Sequence, residues 1–207
     1  LIRHLFNFII FFISSIFFFL LLKKRFSKLL STIGLLFFYL SPRIFADSFY
    51  NNKDIVFFSF FIISLFFSIN FLNNPTYKRA LLTSITCSLA IATRVLGIIV
   101  PFIVVIFFIL RSLENKDFFN KNIFKIITYI VLLQIFTMLF WPYLWIDPIT
   151  NFFNTLESMS SYPWSGGIFY LGNYISALNL PWHYSIVWIL ISTPILYLFL
   201  FFLGSYL

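Results

Sequence analysis

The chain has 207 residues, of which 61% are hydrophobic, 24% aromatic and only 10% charged, with a mean hydropathy of +1.00. A soluble domain carries about 25% charged residues, so this composition excludes a water-soluble globular enzyme. Apolar runs recur along the whole length and exclude a protein with a single anchor. The formal charge of +8 is a question of membrane topology before anything else, because Lys and Arg collect in cytoplasmic loops.

The expected fold is all-α: a polytopic transmembrane helical bundle. A β-barrel needs alternating apolar and polar residues, and Phe57–Phe67 is apolar almost throughout. Seven apolar segments can be marked, at 5–22, 29–44, 55–72, 80–93, 95–110, 126–142 and 183–203. Several fall short of the roughly 20 residues of a full span. The fourth and fifth are read as two helices rather than one, because Arg94 would be costly at the bilayer centre and Gly97 and Pro101 help to break a helix there. The 33 Phe read as lipid-facing bulk. Cys87 is the only cysteine, so no disulfide forms within the chain.

With these spans, Lys23, Lys24, Arg25, Lys28, Lys78, Arg79, Arg111, Lys116, Lys121 and Lys125 fall on one side with Glu114 and Asp117, a net +8. Arg3, Arg43, Lys53 and Arg94 fall on the other with Asp47, Asp54, Asp147 and Glu157, a net zero. The positive-inside rule makes the first side cytoplasmic. Topology thus accounts for the charge, and no nucleic-acid partner is expected.

The outer side carries two polar regions. In Arg43–Asp54, Asp54 directly precedes an apolar run, where its carboxylate suits a helix start. Alternatively, Asp47 and Asp54 face an outer cavity and bind a divalent metal, sugar or amine, with Arg43 or Lys53 near a phosphate. The second region, 143–182, is read as a periplasmic loop. It follows the boundary motif Trp141-Pro142-Tyr143-Leu144-Trp145, opens a helix at Asp147-Pro148 and continues as an amphipathic surface helix over 149–160. A Tyr162-Pro163-Trp164-Ser165-Gly166-Gly167 turn and the run Leu180-Pro181-Trp182-His183-Tyr184 follow. Their rings suit stacking on sugar faces or isoprenoid tails, and suit interfacial anchoring equally well. His183 fits a hydrogen-bonded structural role as well as a chemical one.

Taken in order, these motifs resemble the polyprenyl-phosphate-dependent membrane glycosyltransferases of the GT-C class, relatives of the dolichyl-phosphate-mannose protein mannosyltransferases and aminoarabinose transferases (glycosyltransferase families 39 and 83). The resemblance rests on Ser41-Pro42-Arg43-Ile44-Phe45, Ser48-Phe49-Tyr50-Asn51-Asn52-Lys53-Asp54, Ala92-Thr93-Arg94-Val95-Leu96-Gly97, Trp141–Trp145, Tyr162–Gly166, Leu180–Tyr184 and Ser192-Thr193-Pro194. Asn52 stands where the pattern has Pro. The resemblance implies sugar transfer, with inversion, from a polyprenyl-phosphate donor to an acceptor hydroxyl on a glycan, lipid or protein. The reaction face would be the periplasmic side of a bacterial inner membrane. It implies one transmembrane domain over 1–207, with Asp47, Lys53, Asp54, Arg94, Glu157, Trp164 and His183 as donor- or substrate-binding candidates. Asp47 and Asp54 are the candidates for a divalent metal. The chain begins at Leu1 rather than Met and is read as a fragment. The resemblance then places the main catalytic base in a loop ahead of it. The competing expectations are a flippase or other transporter of lipid-linked oligosaccharide and an O-antigen polymerase-type protein.

Overall fold

The computed structural model describes residues 2–160 and 166–206. Ten α-helices, three short 3-10 helices and a two-stranded hairpin are present among them. The chain divides into two compact units, Leu1–Leu156 and Glu157–Leu207.

The first unit opens with α1 (Ile2–Lys23), α2 (Lys28–Leu40), α3 (Pro42–Tyr50) and α4 (Asp54–Asn73). Ser27 starts α2 by accepting a hydrogen bond from the Leu30 amide, and Pro42 starts α3 at a position whose amide would be unpaired anyway. Phe11, Phe38, Ile55 and Ile62 form a buried core between α1, α2 and α4. Phe38 stacks on Phe11, Phe18 and Phe58 with ring centroids 5.2, 4.7 and 5.7 Å apart. The Phe content is therefore partly internal packing, not only the lipid-facing bulk expected from composition.

α5 (Tyr77–Thr93) lies at the centre and packs most extensively against α7 (Lys116–Phe140) and α4. Its buried positions are small or hydroxylated: Ala80, Thr83, Ser84, Thr86, Cys87, Ser88, Ala90 and Ile91. Small residues let apolar helices approach closely where no water drives them together. Ser88 donates to the Leu133 carbonyl at 3.0 Å and accepts from the Thr137 hydroxyl at 3.1 Å, joining α5 to α7. A Ser88→Leu change would push a large side chain into this contact and lower stability by about 2 kcal/mol. Thermal unfolding in detergent should read a clearly lower midpoint, and an unchanged midpoint would contradict the α5–α7 contact. A second core of Phe71, Ala80, Val104, Phe108, Ile126 and Tyr129 joins α4, α5 and α7 to α6 (Ile99–Glu114).

Four helices among the described residues are long and apolar enough to cross a membrane: α1, α4, residues Val95–Glu114 and α7. The pair α2 and α3 is bent by 63°, and α9 (Tyr184–Ser192) with α10 (Ile195–Tyr206) by 112°. Counting each pair as one span gives six. The seven spans expected from sequence are not confirmed by this count, which rests on length and composition and leaves out α5. α5 has 17 residues, at the short end of the range for a span; it runs from Arg79 at the Asn70 end of α4 to Arg94 at the Asp54 end, with its small, polar face buried in protein. The expected break at Arg94 is present: α5 ends at Thr93, Arg94 is extended, and a 3-10 helix covers Val95–Ile98.

The first unit ends in a 3-10 helix at Pro142–Trp145 and most of α8 (Pro148–Ser160). Asp147 caps α8 through the Thr150 amide at 3.2 Å, and Asn151 donates to the Tyr143 carbonyl at 2.7 Å. In the second unit, β1 (Gly167–Tyr170) pairs antiparallel with β2 (Asn173–Ser176), Gly167 facing Ser176 and Tyr170 facing Asn173. The sequence reading did not foresee this hairpin. Its two-residue turn takes positive φ at both Leu171 (48°) and Gly172 (85°), the geometry that matches strand twist.

Candidate functional site

The candidate site lies where the N-terminus of α4 meets the C-terminus of α5. These helices run antiparallel, so Asp54 and Arg94, forty residues apart, come into contact.

The α3–α4 corner is built by Asn51. Its Oδ1 accepts from the amides of Asp54 (2.9 Å) and Lys53 (3.3 Å), and its Nδ2 donates to Asp54 Oδ2 at 3.0 Å. The sequence reading offered the Asp54 carboxylate as the helix cap. The structure corrects this: Asn51 takes the amides of Lys53 and Asp54, and the Asp54 carboxylate makes no side-chain cap bond but accepts from Asn51 and Arg94. It also sits in the first turn of α4, where the helix dipole favours negative charge.

Arg94 is aimed by its backbone. Its amide closes α5 on the Ala90 carbonyl, its carbonyl accepts from Gly97 at 2.8 Å, and its φ of −148° turns the side chain off the helix. Arg94 Nη2 donates to Asp54 Oδ1. Its Nε has no hydrogen-bond partner among the described residues. The side chains of Arg94 and Asp54 remain 37% and 58% exposed. A pair that exposed adds little to stability, so it is poorly explained as a structural strut.

Asp47 is half-buried on α3 and accepts a hydrogen bond from the Tyr50 hydroxyl. Lys53 is exposed and makes no ion pair among the described residues. His4 Nδ1 hydrogen-bonds to the Phe49 carbonyl at 2.6 Å, and Phe8 stacks on Phe49 at 5.0 Å, so α1 holds α3 from behind. Asn51 and Gly97 are the contributors that residue chemistry alone did not single out for the site. The signal for Asn51 was its place three residues before Asp54, a capping spacing.

A divalent metal needs several oxygen ligands. No group of three His, Cys, Asp or Glu side chains fit to hold a metal occurs among the described residues. No step below is routed through a metal.

Glu157 and His183 belong to the second unit. Glu157 is exposed on α8. His183 precedes α9, its ring centroid 5.8 Å from that of Tyr170 and 5.5 Å from that of Trp182. Tyr170 is buried and also contacts Tyr184 at 5.1 Å. Trp164 lies outside the described residues.

The model of one protein family, dolichyl-phosphate-mannose-protein mannosyltransferase, matches residues 3–141, from α1 through α7. No curated protein and no solved structure matches. The match covers two thirds of the chain and includes both Asp54 and Arg94. The chain therefore belongs to this family of GT-C-type membrane glycosyltransferases.

Proposed function

We propose that this member of the dolichyl-phosphate-mannose-protein mannosyltransferase family moves a sugar from a polyprenyl-phosphate donor to an acceptor hydroxyl. The reaction is assigned to the extracytoplasmic face of a bacterial inner membrane. One observation carries the reading: Asp54 and Arg94, from two separate motifs within the matched region, meet at the end of α4 away from its basic end. At the other end, Lys24 and Arg79 bond to Asn70 and Arg111 bonds to the Leu72 carbonyl. That basic end is the one the positive-inside rule assigns to the cytoplasm.

In the proposed reaction the acceptor oxygen bonds to the anomeric carbon from the face opposite the leaving group, and the configuration inverts. The bond from that carbon to the phosphate oxygen breaks with its electron pair, and the leaving group is the polyprenyl phosphate. Negative charge grows on that oxygen, and a preorganised guanidinium is the group to meet it. Arg94 takes this role, with Asp54 and Asn51 as positioning residues. The acceptor proton goes to a general base, assigned by the resemblance to the loop ahead of this stretch. Asp47 and Lys53 flank the donor site. Residues 143–182 are assigned to the outer surface, where Glu157, Trp164 and His183 offer polar and aromatic contacts to a glycan, lipid or protein acceptor. Family membership favours a transferase over a transporter.

The test is transfer in right-side-out membrane vesicles carrying the full-length protein, supplied with a membrane-impermeant acceptor. Product from a polyprenyl-phosphate sugar, but not from a nucleotide sugar, is the expected result. Transfer only in inverted vesicles, or only from the nucleotide sugar, would contradict the proposal.

A further inference from the structure

The cytoplasm-assigned end of the first unit carries a second arrangement of charge and apolar surface. A cavity of about 670 Å³ opens along α4 and α6. Its walls are apolar over most of their length, with Ile69, Ile103, Phe107 and Leu110 exposed. At one end the lining changes to Arg25, Arg111 and Glu114. The groove thus has an apolar trough and a cationic mouth.

The two arginines differ in what they already do. Arg111 donates from Nη1 to the Leu72 carbonyl at 2.6 Å and lies 4.3 Å from the Phe118 ring centroid. With five N–H donors it retains capacity for an anion. Arg25 is exposed, and its side chain makes no hydrogen bond or ion pair among the described residues. Lys24 and Arg79 are anchored nearby on Asn70, and Arg79 also donates to the Asn74 carbonyl at 2.8 Å. Desolvation first, and then the charge of Arg79, hold the Lys24 amine below its ordinary pKa. Glu114 is the only acid in the lining, so the mouth stays net positive.

We propose that this groove binds an anionic phospholipid, with its phosphate between Arg25 and Arg111 and an acyl chain along Ile69, Ile103 and Phe107. The charge of the mouth selects an anionic headgroup, and the apolar trough selects a lipid over a free anion. The groove reaches Asn73, whereas the candidate donor site is at Asp54, about 30 Å away along a twenty-residue helix. The inference therefore stands apart from the proposed transfer reaction and does not rest on it.

The test is native mass spectrometry of the full-length protein, released from micelles with equal phosphatidylglycerol and phosphatidylcholine of identical chains. Each basic residue at an anionic surface is worth about fivefold in binding, so phosphatidylglycerol should be retained roughly twentyfold over phosphatidylcholine. Arg25→Gln, which loses no hydrogen bond or ion pair among the described residues, should reduce that preference about fivefold. Lys121→Gln, on the exposed surface of α7 outside the groove, should leave it unchanged. Equal retention of the two lipids, or the same loss in Lys121→Gln, would overturn the proposal. So would abolition of the preference by inorganic phosphate alone.

Discussion

Arg94→Ala lowers glycosyl transfer by about 10²-fold or more, the usual effect of removing one preorganised group from a developing negative charge. The same change moves thermal stability by less than about 1 kcal/mol, because the Arg94–Asp54 pair is substantially exposed. That split separates a binding role from a structural one. Arg94→Lys keeps a charge but loses the fork that meets Asp54 and a phosphate together, so it recovers only part of the activity. Asp54→Asn leaves an oxygen to accept from Arg94 and removes the charge that holds it. Its loss is expected to be smaller, about tenfold. Transfer assays and unfolding curves on the same preparations check all three. A loss of activity matched by a loss of fold would turn the pair into a structural contact.

Gly97→Ala should be more damaging to the fold than any change in the pair itself. A Cβ at residue 97 would stand 2.6 Å from the Ala90 carbonyl carbon, 2.7 Å from the Ile91 nitrogen and 2.8 Å from the Ala90 oxygen. These are backbone atoms of α5 and cannot turn aside as a side chain would. The 3-10 helix Val95–Ile98 must then move away from α5, at a cost of about 3 kcal/mol. The Gly97 amide bonds to the Arg94 carbonyl, so the same movement takes Arg94 from Asp54. Stability and transfer fall together, in contrast to Arg94→Ala. Wild-type stability in Gly97→Ala would mean that α5 and the turn are not packed this closely. By comparison, Gly204→Ala meets nothing within 4 Å and serves as a control.

Much of the helical architecture was legible from the sequence. Apolar runs marked most helices, Asp147-Pro148 marked the start of α8, and the cost of a charge in the bilayer marked the break at Arg94. Span number was less legible, because length and hydropathy do not reveal that α5 is a central helix. Its serines, threonines and alanines face protein rather than lipid. The hairpin at 167–176 was missed because Leu171 at positive φ is not a turn signal, and Gly172 alone is a weak one. Asp54 and Arg94 were both visible as residues of interest, and the resemblance put them in one family pattern. Their contact was not visible, since it depends on α4 and α5 running antiparallel with ends in register. Asn51 was overlooked as the capping residue because Asp54 itself looked like a cap.

The most direct measurement is the affinity of the full-length protein for a polyprenyl phosphate, compared across wild type, Arg94→Ala and the Arg94→Ala/Asp54→Asn double variant. The double variant removes the repulsion that an unpaired Asp54 would add. Affinity should fall by at least about tenfold in both variants, with unfolding midpoints close to wild type. Wild-type affinity in the double variant would contradict the assignment of Arg94 to the donor phosphate.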